Sequence, residues 1–248
     1  MATGTGDAEP QDGRMPFLAH LGELRYRIIV SLVAVGIGVA VTFSQSEHLI
    51  TWMARPLPSK LAYLEPTEPF WVNFKVALVS GAFLVLPILL YQVWAFVAPG
   101  LHPHERKFAA PFVILSTLFF AIGAAFALLV IVPFAVRFLV SYKTETLTAT
   151  ISVNKYVDFV LKFTIAFGLV FELPLGLTLA ARLGLVTPQF LSKNRKYAIL
   201  LAFVAAAILT PTPDAFNQTL MAGPLIILYE AGIIAARVFG RRPAKQPA

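Results

Sequence analysis

Between residues 108 and 136 the chain runs for 29 residues without a charged side chain. About 20 apolar residues in a helix cross the roughly 30 Å hydrocarbon core of a bilayer, so this run overshoots it and must tilt or protrude. Pro133 is expected to mark where it leaves the bilayer. Five further apolar runs accompany it, at 28–43, 76–98, 157–181, 197–209 and 220–239. Of the 248 residues 58% are hydrophobic and 13% charged, against about 45–50% and about 25% in soluble domains. At a mean hydropathy of +0.75 the polar residues are too few to enclose the apolar ones in water. The sequence reads as an all-α, polytopic integral membrane protein with six transmembrane helices. A soluble enzyme is excluded, as is disorder except at the ends.

Residues 1–15 have no hydrophobic period and read as a disordered tail. Residues 16–240 form a single membrane domain, and 241–248 a second tail. The run 28–43 is long for the core of a signal peptide, and no clear small-x-small site follows it, so it reads as a retained first helix. The fifth run has 13 residues, about 20 Å at 1.5 Å per residue. The sixth is interrupted by Glu230 and Gly232. With TPTPD (210–214) as the turn between them, they are expected to form a short hairpin that thins the bilayer locally.

Twenty Lys+Arg against thirteen Asp+Glu give a net charge of +7. With the N-terminus inside, thirteen of the basic residues fall on the inner side and seven on the outer. This bias places both termini in the cytoplasm and accounts for the basic balance without nucleic acid. The external segment HLITWMARPL is amphipathic enough to lie on the membrane surface. There is no cysteine, so disulfides and thiol chemistry are excluded. No repeat of the kind that builds secondary transporters is present, and no GxxxxGK[ST] phosphate loop. No cofactor is implied.

Glu172 sits about ten residues from the inner end of its run, or roughly 15 Å deep. A carboxylate there costs about 2.5–3.5 kcal/mol, which the surrounding Leu, Ile, Phe and Val outweigh. It is either a protonated or paired glutamate joining helices, or a residue facing a polar cavity, and intramembrane acids favour the cavity. Pro174 frees backbone groups and can bend the helix beside it. Gln92 is expected to bond between helices. Glu230 either pairs with a neighbour or lines the same cavity as Glu172. Asp158 and Lys162, four apart, are expected to pair on one helix face.

In PGLHPHERK (99–107) the prolines and glycine set a stiff turn, and Glu105 can cap a helix start. His102 and His104 lack a third ligand, so a metal site is rejected. In HLGELRYR (20–27) Arg25 and Arg27 serve as inner anchors, whereas Glu23 offsets them unexpectedly. Asp214 can cap the sixth helix.

In order, the chain carries HLxELRxR, LPxLLYQVWxFxxPGLxxHERK, FGxxFExP, RKY, TPxPD and FxQTLxxxPLxxLYE. Together these resemble the TatC family, the largest subunit of the twin-arginine protein translocase, over about residues 16–240. The resemblance implies a six-helix concave scaffold in the bacterial cytoplasmic membrane or in thylakoids. It implies binding of the twin-arginine signal peptides of folded precursors at the cytoplasmic face, recruitment of TatB and TatA, and export driven by the proton-motive force. It places Glu105, Arg106 and Phe96 in the signal-recognition region, with Glu23 and Arg25 beside them. Glu172 matches a buried glutamate of the concave face, and Pro56 a proline of the external cap. Asp214, Gln218 and Glu230 match polar positions of the last hairpin, where partner helices pack. Thr212 separates two prolines that are adjacent in the family's usual turn. A homo-oligomer within the receptor complex is implied, with membrane lipid as surroundings.

An exposed ion pair is worth about 0–1 kcal/mol, too little to select a precursor. Recognition therefore needs several carboxylates or a partly dehydrated site, where hydrogen bonds to charged groups reach about 1.5–3 kcal/mol. Arginine's planar fork binds a carboxylate bidentately and lysine's ammonium does not, which favours two arginines over two lysines. The competing reading is an ion-coupled exporter with Glu172 as proton relay. A structural scaffold in which neither Glu105 nor Glu172 matters is the third.

Overall fold

The computed structural model describes residues 17–97, 109–141, 150–209 and 215–240, with backbone alone at 17–20, 109, 216 and 217. These form eleven α-helices and one π-helical turn, with no strand among the described residues. Grouped by continuity they make six rods, matching the six apolar runs.

The first rod is α1, Phe17–Phe43, followed by the short α2, Ser46–Met53. The second consists of α3, Glu68–Leu84, and α4, Leu86–Val97, bent by 60° at their junction. One span was expected at 76–98, and the bend within it was not read from sequence. Pro87 explains the bend, because it has no N–H to give the carbonyl of Phe83 and its ring crowds that carbonyl.

The third rod runs through α5, Ala109–Phe126, the π turn Ala127–Ile131 and α6, Val132–Ser141. The helix continues through Pro133, which was expected to mark where the run leaves the bilayer. The N–H of Val132 bonds back to the Ala127 carbonyl, and this wider turn makes room for the proline that follows. The apolar length reaches 32 residues, Ala110–Ser141, or about 48 Å, so the overshoot read from sequence is larger still.

The fourth rod divides at Glu172 into α7, Val153–Phe171, and α8, Leu173–Arg182, where Pro174 interrupts the ladder as expected. Ser152 caps α7 by accepting from the Lys155 N–H. The small α9, Pro188–Lys193, is capped by Thr187. The last hairpin pairs a short arm, α10, Arg195–Leu209, with a longer one, α11, Ala215–Phe239. At 15 and 25 residues they measure about 22 and 37 Å. Pro224, Glu230 and Gly232 all lie within α11 without breaking it.

α7 is the central rod. Val157, Val160, Phe163 and Phe167 are fully buried, and α3, α5, α10 and α11 all pack on it. Phe126 stacks obliquely on Phe167 and Phe171, with centroids 5.7 and 5.6 Å away. α1 is mostly exposed, and its described buried residues are Ala34 and Gly38. Gly38 meets Gly81 of α3 backbone to backbone, and the buried Ala77, one turn away on α3, lies opposite Thr42. Lipid gives helices no hydrophobic reason to associate, so contact depends on backbones approaching closely over small side chains. Thr42 adds a hydrogen bond to the Ala77 carbonyl at 2.8 Å.

The end of the bundle that carries α2 is closed by polar ties that sequence reading did not supply. Ala62 donates its N–H to the Ile151 carbonyl and accepts from the Val153 N–H, both at 3.0 Å, across a single bridge to Ser152, and the Tyr156 hydroxyl donates to the Met53 carbonyl at 2.6 Å. Leu49, Ile50 and Met53 of α2 pack on the core, so this piece is seated on the protein as well as amphipathic. Pro56 lies half-buried in the turn after α2. Glu68, 7% exposed, accepts from the Leu64 N–H at 3.0 Å and the Ser152 hydroxyl at 3.3 Å. Glu68→Ala strands both donors, and thermal unfolding in detergent should show a loss of about 2–3 kcal/mol. Asp158 and Lys162 do not pair with each other. Asp158 pairs with Lys75 at 2.7 Å, and Lys162 donates to the Ile208 carbonyl at 3.0 Å. Helix neighbours from another rod lie closer than the next turn of the same one.

Candidate functional site

Three polar groupings stand out against the apolar body. The first is at the end where α1 begins and α4 finishes. Glu23 and Arg27, one helical turn apart, form an ion pair, with Arg27 Nε 3.1 Å from Glu23 Oε1. Arg27 Nη1 donates to Gln92 Oε1 at 3.2 Å, so Gln92 does bond between helices. Both charged side chains are less than one-fifth exposed. Arg25 points outward, and Phe96 is half-buried one turn beyond Gln92. Arg27 is more than an anchor: it holds Glu23 in place and ties α1 to α4. The i,i+4 spacing of Glu23 and Arg27 is the sequence signal for this pair.

The second grouping surrounds Glu172, half-buried at the α7–α8 break. Its neighbours are Ser116 and the backbone of Phe120 on α5. Glu172 Oε1 and Ser116 Oγ are both buried yet have no partner in good hydrogen-bonding geometry. A carboxylate and a hydroxyl side by side, each with spare capacity, form a polar spot in the middle of an apolar wall. Such a spot is costly to maintain and suits a ligand's polar group.

The third grouping lies along the last hairpin. Arg195 at the start of α10 grips Glu230 of α11 with two bonds, Nε–Oε1 at 2.7 Å and Nη2–Oε2 at 2.8 Å. Glu230 therefore takes the first of its two readings, pairing with a neighbour, and does not join Glu172. Gln218 donates to the Phe203 carbonyl at 3.0 Å, also within the hairpin. Tyr229 donates to the Leu191 carbonyl, and Arg237 to Ser192. The side chains of Arg195 and Arg237 thus end on partners at the same end of the molecule as Glu23.

Glu23, Arg25, Gln92 and Phe96 are brought to one end, Glu172 lies at mid-rod, and Gln218 and Glu230 brace the hairpin. Glu105, Arg106 and Asp214 lie outside the described residues. No cluster of three His, Asp or Glu suited to a metal exists among the described residues.

The sequence profile of the Sec-independent protein translocase protein (TatC) family matches residues 19–224. A TatC protein from Desulforapulum autotrophicum is 43% identical over 238 residues, covering 94% of this chain and 88% of its own length. One from Carboxydothermus hydrogenoformans is 40% identical, covering 92% and 95%. The chain belongs to the TatC family. Two crystal structures of the twin-arginine translocase receptor TatC superpose with TM-scores of 0.77 and 0.79 at 39% identity. They cover 88% of this chain and 98% and 99% of their own. This agreement extends the TatC assignment from sequence to architecture. As a TatC protein the chain is a multi-pass membrane component of protein transport.

Proposed function

We propose that this TatC chain is the receptor of a twin-arginine translocase in a bacterial cytoplasmic membrane. It binds the twin-arginine signal peptides of folded precursors at the end carrying Glu23. It works within a homo-oligomeric receptor complex, recruiting TatB and TatA for export driven by the proton-motive force. The observation that carries this reading is the similarity to receptor structures along nearly their whole length. The 13-to-7 distribution of basic residues puts that end, and both termini, in the cytoplasm.

The physics supports a receptor for arginine. Glu23 already holds a guanidinium in cis, that of Arg27, so its carboxylate is oriented and partly dehydrated for this ligand. Glu105 and Arg106 fall between the ends of α4 and α5 in sequence, and Phe96 lies on the α4 side of that connection. Glu105, with Glu23, accepts the two arginines, and Arg106 and Arg25 set the local field. The apolar part of the signal follows the rods towards Glu172. On the hairpin, α10 exposes Leu200, Leu201, Val204 and Ile208, a face suited to the apolar helices of TatB and TatA. Gln218, Glu230 and Asp214 hold that hairpin in shape, and Pro56 shapes the outer cap.

The test is binding of a twin-arginine peptide to membranes containing this protein and TatB, against the same peptide with both arginines changed to lysine. A preference of about tenfold or more, equal to about 1.4 kcal/mol, is expected. Glu105→Gln should abolish it and Glu23→Gln should reduce it. Equal binding of the two peptides in the presence of TatB overturns the receptor reading.

A further inference from the structure

α9 sits where three rods end. It joins the finish of α8 to the start of α10, and it is tied to the latter half of α11. Tyr229 donates to the Leu191 carbonyl at 2.9 Å and Arg237 to the Ser192 hydroxyl at 2.7 Å. Leu191 is buried with Ala181, Ile233 and Ala236, so one side of α9 is fixed to the bundle. On its open side Phe190 is 57% exposed. The chain reaches α9 from α8 through a glycine turn. Gly184 has φ 73°, and the N–H groups of Gly184 and Leu185 return to the Ala181 and Ala180 carbonyls. Such a turn commonly packs its next residue back on the helix. Leu185 is instead 74% exposed, more than any other large apolar side chain among the described residues. The charges beside these side chains are of one sign. No acid occurs between Glu172 and Asp214, a stretch that holds Lys193, Arg195 and Lys196. Glu230, which reaches this connection from α11, is taken by both bonds of Arg195. Lys193 and Lys196 are exposed. Lys193 makes no ion pair among the described residues, and Lys196 lies over the Tyr197 ring, 5.1 Å from its centroid.

We propose that α9 and the turn before it form an interfacial foot that binds the headgroups of anionic phospholipids. Leu185 and Phe190 enter the upper acyl region, and the ammonium groups of Lys193 and Lys196 meet the phosphates. Position and charge together select this occupant. The open backbone of the turn keeps the segment out of the hydrocarbon core. α10, at 15 residues, measures about 22 Å against a core of about 30 Å, so its start is drawn to the hydrocarbon edge. A short helix with open apolar side chains and lysines beside them rests in that layer, and anionic lipid strengthens its hold. Only the crossing of a membrane by the chain is required, not the recognition of a signal peptide.

The chain has no cysteine, so Gln189→Cys, at an exposed position of α9, gives a single site for a fluorescent label in the full-length protein. The labelled protein is placed in phosphatidylcholine nanodiscs containing lipid brominated in the upper acyl chain. Brominated phosphatidylglycerol should half-quench the label at a mole fraction about fivefold or more below that of brominated phosphatidylcholine, the attraction of one surface lysine for anionic lipid. Lys193→Gln with Lys196→Gln should remove the preference. Lys60→Gln with Lys155→Gln takes the same charge from exposed positions at the end that carries α2 and should keep it. Equal quenching by both lipids overturns the proposal. A preference that survives the first pair of changes, or is lost in the second, overturns its assignment to this surface. Leu185→Ser with Phe190→Ser should lower the maximal quenching by either lipid by about half, and unchanged quenching overturns the seating of those side chains. Quenching by neither lipid shows that α9 stands off the bilayer and overturns the proposal. Shielding of the label from iodide by added TatB would then give the surface to a protein partner. None of these results uses a twin-arginine peptide, so the foot and the receptor reading stand or fall separately.

Discussion

A Gly81→Val variant will unfold at a lower temperature than the parent protein and will bind a twin-arginine peptide more weakly. A Cβ at Gly81 would lie 2.6 Å from the backbone carbon of Gly38 and the nitrogen of Val39, and one at Gly38 would lie 2.5 Å from the Gly81 carbonyl oxygen. The obstacles are backbone atoms, which cannot turn aside as a side chain can, so α1 and α3 must separate. Overpacking of this kind costs about 1–3 kcal/mol, sometimes more. The contact also carries the Thr42 to Ala77 hydrogen bond, which separation breaks. Peptide binding suffers because α1 brings Glu23 and Arg27 to Gln92 of α4, and a displaced α1 moves that cluster. Gly36→Val is the control. It lies on the same helix with nothing within 4 Å of its would-be Cβ, and its melting temperature and peptide binding should match the parent. Equal melting temperatures for the two valine variants would show that the Gly38–Gly81 contact does not hold α1.

The second result runs in the opposite direction. Glu172→Leu should raise the melting temperature while abolishing transport of a twin-arginine precursor into inverted membrane vesicles. Glu172 Oε1 and Ser116 Oγ are buried without partners, and a stranded polar group costs about 1–3 kcal/mol. Leucine of similar size removes one of them and adds apolar contact with α5, so a gain of about 1–2 kcal/mol is expected. Natural proteins keep such liabilities where function needs them. A glutamate serving as glue between helices gives the reverse outcome: Glu172→Leu would then melt earlier. Glu172→Gln separates charge from polarity. If the spot needs only a hydrogen-bonding group, transport survives in this variant.

Much of this protein was legible because membranes constrain sequence locally. A run of apolar residues long enough to cross a bilayer must be a rod, wherever its neighbours lie. The break at Glu172 follows from Pro174 within the same helix. The shortness of α10 follows from its length of apolar sequence, and a lone amide such as Gln92 in an apolar run must find a partner on another helix. Each of these conclusions needs only residues within a turn or two of one another.

The bend at Val85 and the passage through Pro133 show where local reading ends. Both arise at prolines in apolar runs, Pro87 and Pro133. One bends its rod by 60°, and the other is absorbed by a π turn whose Ala127 and Ile131 are buried. The difference lies in what packs against each turn. Ion pairs divide in the same way. Glu23 and Arg27 could be matched by their spacing, but Asp158 chose Lys75 over Lys162 and Glu230 chose Arg195. The buried Glu68 gives no sequence signal, because its partners Leu64 and Ser152 come together only when the connection after α2 closes on the start of α7.

The sequence by itself determined that this chain is a bundle of membrane-crossing helices, which residues cross, and through its ordered motifs the TatC family to which it belongs. Tertiary structure alone decided which rods touch, through Gly38 on Gly81, and which charges meet. It also decided which polar atoms, at Glu172 and Ser116, were left with capacity to spare. The physical reason is range. Hydrophobic partition into lipid acts on each segment separately, whereas close packing and hydrogen bonding inside the bundle depend on atoms that only the completed fold brings within a few ångströms.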